Sequence, residues 1–263
     1  MFVYWADVPA ESYKLPSHSQ CVAVGCKFMR PLIFIVSLLS FSLSFGQTHN
    51  DLKEYGYKGK VKNMTTYNYD TLSFDETNKI FDNRLWRNKI VYTFDTTGNL
   101  DTIFSYIQLP FTNDTVYTFK TAYTYSQQAR IALRINGKNE VTDTVKFLWI
   151  NDTTYQTIET AVKGQRKVLS DLFLNENYRD KCGKFTGYDD DNKIEYSENY
   201  ENRINDNGLL TRSFKTNLLT HTTTIVSYQY FDFDKFGNPT KIWLSNFLDK
   251  KVIRIALREF EYY

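Results

Sequence analysis

The sequence predicts an all-β protein: an antiparallel meander of hairpins forming an open or partly coiled sheet, preceded by a signal peptide. Three observations predict it. Aromatic residues, mostly Tyr and Phe, make up 17% of the chain, which suits half-buried pleated surfaces and opposes disorder. Runs of strand length rich in β-branched and aromatic residues recur, among them 89–94, 100–106, 225–231 and 240–244. A seven-residue turn phrase is written twice, FDTTGNL over 94–100 and FDKFGNP over 233–239.

Taken in chain order, residues 1–28 lie upstream of an export-like segment and read as a mis-assigned start, with Met29 the natural one. Residues 29–46 read as a signal peptide. Met29-Arg30 is followed by an apolar run over 31–39, and Ser44-Phe45-Gly46 forms a small-x-small site, so cleavage is expected between Gly46 and Gln47. The run is shorter than the roughly 20 residues of a spanning helix, so no stable membrane span is expected after cleavage. Residues 47–263 then form one β-rich domain, with few prolines and no Gly/Ser tract to mark a linker.

Each phrase is a hairpin turn. The Asp carboxylate accepts amide hydrogens two or more residues on, and Gly supplies a positive φ. Asp95 with Gly98 and Asp234 with Gly237 carry the pattern. Weaker copies, FDETNKI over 74–80 and YDDDNKI over 188–194, replace Gly by Asn, so Asp75 with Asn78 and Asp189 with Asn192 are expected to turn the same way. Asn136-Gly137 and Asn207-Gly208 mark two further hairpins. Alternation of Tyr92 and Phe94 with Thr93, and of Tyr228 and Tyr230 with Gln229, assigns the aromatics to one face of the sheet.

The aromatic-Asp-x-x-Gly-Asn phrase resembles the YD repeat of RHS-type exported bacterial proteins. That resemblance implies successive β-hairpins in a coiled sheet and an exported bacterial protein. It implies no catalytic residue, and the chain is too short to close the large shell of that family.

Three of the 32 Lys/Arg and two of the 30 Asp/Glu precede residue 47, leaving the mature chain at +1 with no dense basic block. Nucleic acid is therefore not an expected partner. Cys182 alone remains after cleavage, so no intrachain disulfide forms, and it reads as a small half-buried residue. His49 and His221 are the only mature histidines, and no metal or nucleophile motif accompanies them. Asp189-Asp190-Asp191 with Glu195 suggests a calcium loop, but Lys193 and the turn phrase favour a solvated hairpin, and Asp232 with Asp234 read alike. No catalytic, cofactor or metal residue is assigned, and no cofactor is expected.

Asp-Thr followed by an apolar residue or Thr occurs six times, offering Thr71, Thr96, Thr102, Thr115, Thr144 and Thr153. This is similar to the acceptor motif of the general O-glycosylation system of Bacteroidota-type Gram-negatives. It is also what turn–strand borders produce by propensity alone.

The main expectation is a non-enzymatic binding or structural scaffold of the cell envelope, in the periplasm, at the cell surface or outside it. Its partner would be an envelope protein or glycan. One alternative is a glycan hydrolase working through two carboxylates. A second is a small outer-membrane β-barrel, ranked lower because Glu259 and Glu261 share the parity of the terminal Tyr263.

Overall fold

The computed structural model describes residues 50–70, 74–75, 80–81, 86–109, 112, 114–126, 129–162 and 167–263. A single-turn helix, α1 (Asp51–Tyr55), leads into strands β1 (Val61–Tyr69), β2 (Phe74–Asp75), β3 (Ile80–Phe81), β4 (Asn88–Phe94), β5 (Leu100–Gln108), β6 (Thr115–Tyr125), β7 (Ala129–Asn136) and β8 (Val141–Asn151). There follow β9 (Thr154–Ala161), β10 (Lys167–Leu174), β11 (Asp180–Tyr188), β12 (Ile194–Ile204), β13 (Leu210–Asn217), β14 (Thr222–Tyr230), β15 (Lys241–Asn246) and β16 (Val252–Tyr262). Apart from the small β2–β3 hairpin, each strand from β4 to β16 pairs antiparallel with its sequence neighbour.

The sheet is closed. β1 pairs with β4 on one side and with β16 on the other, making a fourteen-stranded barrel. This corrects the open or partly coiled sheet expected from sequence. Each hairpin is announced by its own turn, but the closing pair joins residues nearly 200 positions apart, such as Met64 opposite Phe260. No local signal carries such a pairing. Closure also removes both sheet edges, which an open meander would leave unpaired.

Pleating then decides the two faces. Register sets Met64, Tyr92, Ile103, Tyr123, Phe147, Tyr155, Leu172, Phe185, Tyr200, Tyr228, Leu244 and Phe260 inward, in line with the aromatic alternation. One buried cluster joins Leu52 of α1 to Val61, Met64, Ile90, Tyr92, Phe94, Leu100 and Ile103. A second gathers Tyr155, Leu172, Leu174, Phe185 and Tyr200 across the barrel. Two glycines of β11 make room for it: a Cβ on Gly183 would sit 2.6 Å from the Tyr200 ring, and one on Gly187 2.1 Å from Tyr196.

Six hairpins share one turn chemistry. Asp95, Asn136, Asn175, Asp189, Asn205 and Asp234 each accept, through a side-chain oxygen, the amide hydrogens two and four residues on. The left-handed residue is Gly98, Asn139, Tyr178, Asn192, Gly208 or Gly237. At the Asn136-Gly137 site the left-handed residue is thus Asn139, so the loop is longer than a two-residue hairpin. These turns lie at both ends of a closed barrel in no regular array, so the YD-repeat resemblance extends no further than the turn itself. Residues 168–174, which fit either helix or strand by sequence, are strand β10.

Candidate functional site

At the end of the barrel where β1 begins and β16 finishes, α1 is seated inside the wall. Asn50 caps the helix by accepting the Lys53 amide hydrogen at 3.0 Å, and Gly56 ends it in the left-handed conformation. A free helix of five residues has no stability of its own; the barrel holds this one. The Asn50 side-chain amide donates to the Thr97 carbonyl at 2.9 Å, and the Leu52 amide donates to Gly98 O at 3.0 Å. Both acceptors belong to the first turn phrase.

Asp51 reaches inside, where its side chain is 2% exposed. It accepts from the Leu100 amide at 2.7 Å, from the Tyr125 hydroxyl at 2.6 Å and from the Arg130 guanidinium. Arg130 lies among rings, 4.2 Å from the Phe147 centroid and 4.6 Å from that of Tyr123. Such a pair is costly to bury and costlier to break.

Glu54, one turn along, accepts from the Tyr155 hydroxyl at 2.8 Å. Asp180, the first residue of β11, accepts from Tyr200 at 2.5 Å and from Asn202 at 3.3 Å. Burial pushes the Asp180 carboxyl up to about 7, against the Tyr200 hydrogen bond, and the nearby Glu54 charge adds to the rise. Each carboxylate is engaged by a tyrosine: Glu54 fastens the cap to β9, and Asp180 ties β11 to β12 within the wall.

The second turn phrase holds the segment between α1 and β1. Asn238 accepts from the Lys58 amide at 2.7 Å and donates to Lys58 O and to the Tyr262 hydroxyl, both at 2.8 Å; Tyr262 in turn donates to Asp234. The two strong copies of the phrase therefore grip the same N-terminal segment from two sides. This is what their Gly-Asn ending accomplishes beyond making a hairpin.

Toward the opposite end the inward register positions become polar. Arg134 pairs with Asp143 at 3.3 Å and with Glu159 at 3.0 Å, while Lys215 lies 3.8 Å from Glu198. All five are partly exposed, so this half of the lumen is wetted. Deeper in, Thr66 Oγ1, Ser170 Oγ and Arg258 Nε are buried with no hydrogen-bond partner among the described residues. Register turns all three inward.

The remaining sequence-predicted positions are scattered. Asp189 spends its carboxylate on the amides of Asp191 and Lys193 at the wetted end. Asp75 is in β2; Asn78, Thr71, Gly46 and Gln47 lie outside the described residues. Thr96 and Thr153 are in turns at the capped end, and Thr115 opens β6 at the other. Thr102 and Thr144 face outward on β5 and β8. Cys182 is half-buried on the outer face of β11, and His221 sits in the β13–β14 turn with φ 57°. Among the described residues, the predicted threonines are spread over both ends and the outer wall.

Sequence reading missed Asp51, Glu54, Arg130 and Asp180. An Asn cap, an acidic first turn and a closing Gly over 50–56 were the available signal for α1. Nothing local pointed to the partners inside the barrel.

These features define a class: a closed antiparallel β-barrel with a short helix, α1, seated inside one end. The open scaffold is replaced, and of the expected alternatives the β-barrel has the right topology. Glu259 and Glu261, which counted against it, do face outward, and Glu261 is held by Lys62 and Asn63. No protein family and no curated protein matches the chain. Among solved structures it is similar to a porin-like protein from Bacteroides uniformis ATCC 8492, at 10% identity and TM-score 0.47 over 76% of this chain and 98% of that one. It is also similar to a porin-like protein from Bacteroides vulgatus ATCC 8482, at 11% identity and TM-score 0.46 over 78% and 99%.

Proposed function

We propose that this chain is an exported β-barrel of the cell envelope that retains a small polar solute in its lumen. The observation that carries the reading is the set of buried inward atoms on Thr66, Ser170 and Arg258 that find no partner among the described residues. Native interiors satisfy such atoms, and a polar guest or trapped water supplies what the protein does not. The α1 cap, pinned by Asp51 and Arg130, stands inside one end of the barrel, which supports holding its content over passing it through.

The outer wall supports a water-facing barrel. Lys120, Lys146, Asp171 and Lys184 all turn outward near strand centres on β6, β8, β10 and β11. A lysine at the middle of a bilayer costs about 2–4 kcal/mol. An outer-membrane seat is the second reading, and one observation favours it: Tyr67, Phe104, Tyr106, Trp243, Ile255 and Leu257 make the outward face of β1, β5, β15 and β16 aromatic and apolar.

The test is to isolate the exported protein without detergent, extract it with organic solvent and analyse the extract by mass spectrometry. The expected result is a soluble barrel with a stoichiometric small molecule. Recovery only in detergent, with ion conductance in a planar bilayer, would establish the outer-membrane reading instead.

A further inference from the structure

A groove lies on the outer wall, apart from the lumen. Strands β13, β14 and β15 and the 246–252 turn form an outer groove of about 550 Å³. Register turns Arg212, Ser227, Gln229, Trp243 and Ser245 outward into it. Phe247, at the rim, gathers two cations: the Arg212 guanidinium 4.3 Å and the Lys250 ammonium 4.1 Å from its centroid. Neither cation forms an ion pair with any described residue. Arg203, directly opposite Arg212 on β12, adds a third positive group. Of the nearby acids, Asp249 accepts the Lys251 amide, and Glu201 lies beyond Arg212, opposite Phe214.

We propose that this groove binds an anionic saccharide, through a sugar acid group. Three kinds of group converge here, and each recognises a different part of such a ligand. Trp243 offers apolar ring surface to the C–H face of a sugar, beside the Phe247 ring that holds the two cations. Ser227, Gln229 and Ser245 offer donors and acceptors for its hydroxyls. Arg212 and Lys250 offer charge-assisted hydrogen bonds to a carboxylate. The groove is also of the size that encloses a small ligand. A neutral sugar would leave the two cations unanswered, and an apolar peptide would leave the hydroxyl partners unanswered.

The inference rests on the reading of a water-facing outer wall, and its test separates the two. Binding of a tetragalacturonate to the full exported protein is measured by calorimetry, beside its fully methyl-esterified, neutral counterpart. The acid form is expected to bind at least tenfold tighter than the ester. Arg212→Gln with Lys250→Gln, at positions with no ion pair to lose, should abolish that preference while circular dichroism stays unchanged. Gln229→Leu should weaken both forms. Equal binding of acid and ester, unchanged binding by the double variant, or no binding to the soluble barrel overturns the saccharide site alone. A stronger, Arg212-dependent association with phosphatidylglycerol vesicles assigns the groove to lipid and overturns it too. Recovery of the barrel only in detergent overturns the water-facing wall, and this site with it.

Discussion

Asn238 and Lys58, 180 residues apart, hold each other by two hydrogen bonds: the Lys58 amide donates to Asn238 Oδ1 at 2.7 Å, and Asn238 Nδ2 donates to Lys58 O at 2.8 Å. The asparagine side chain thus acts as a strand edge, pairing with backbone that no strand reaches. Asn238→Ala removes both bonds, orphans the Lys58 backbone and takes one donor from the Tyr262 hydroxyl, which keeps its bond to Asp234. The expected cost is about 2–4 kcal/mol, read from urea denaturation. Asn238→Asp, which keeps only the acceptor, should lose a comparable amount. Unchanged stability in both variants would mean that the grip on the cap segment lies elsewhere.

Breaking the buried pair at the cap should cost more. Asp51→Ala leaves Arg130 charged and enclosed by rings, and about 3–5 kcal/mol is expected. Hydrogen exchange should accelerate first at residues 51–57, because α1 has no stability apart from its seat. Adding Arg130→Met should restore part of the loss by removing the stranded charge. A double variant no better than the single one would count against the pairing.

The Asp180 carboxyl makes stability depend on pH in a defined direction. Its folded-state pKa is raised to about 7, chiefly by burial. Between the ordinary carboxylate range and 7 the folded state therefore binds more protons than the unfolded state. The Asp180 contribution is present at low pH and is lost as pH rises through about 7. Asp180→Asn should flatten the denaturation midpoint between pH 5 and 8. Parallel curves for the two proteins would show that this group is not the source.

Gly183 is set against rigid neighbours. An added Cβ would lie 2.7 Å from the Asp171 carbonyl oxygen as well as against the Tyr200 ring. Gly183→Ala should destabilise by about 1–3 kcal/mol through overpacking. Gly137→Ala, whose nearest neighbour would be 3.5 Å away, should be near neutral and serves as the control. Thermal denaturation of the two variants distinguishes them.

The O-glycan expectation narrows on the folded chain. Thr96 and Thr115 are exposed, whereas Thr144 sits inside a strand ladder. Peptide mapping of the native protein should find sugar on Thr96 or Thr115 before Thr144. Modification at Thr144 alone would require transfer before folding.

The sequence by itself determined the strands, their facing and their turns. Alternation at 92–94 and 228–230 is a property of neighbouring residues, and so is the Asp-x-x-Gly turn. The 205–208 turn is legible through Asn207-Gly208, whereas the turn at Asn175 carries Asn in place of Asp and Tyr178 in place of Gly, so no local phrase announces it. Tertiary structure alone decided closure and the cap. Whether Met64 meets Phe260, or Asp51 meets Arg130, depends on fourteen successive twists and registers adding up to a closed ring. That sum is a property of the whole sheet. The carboxylate of Asp51 looks like any surface acid until the ring around it is complete.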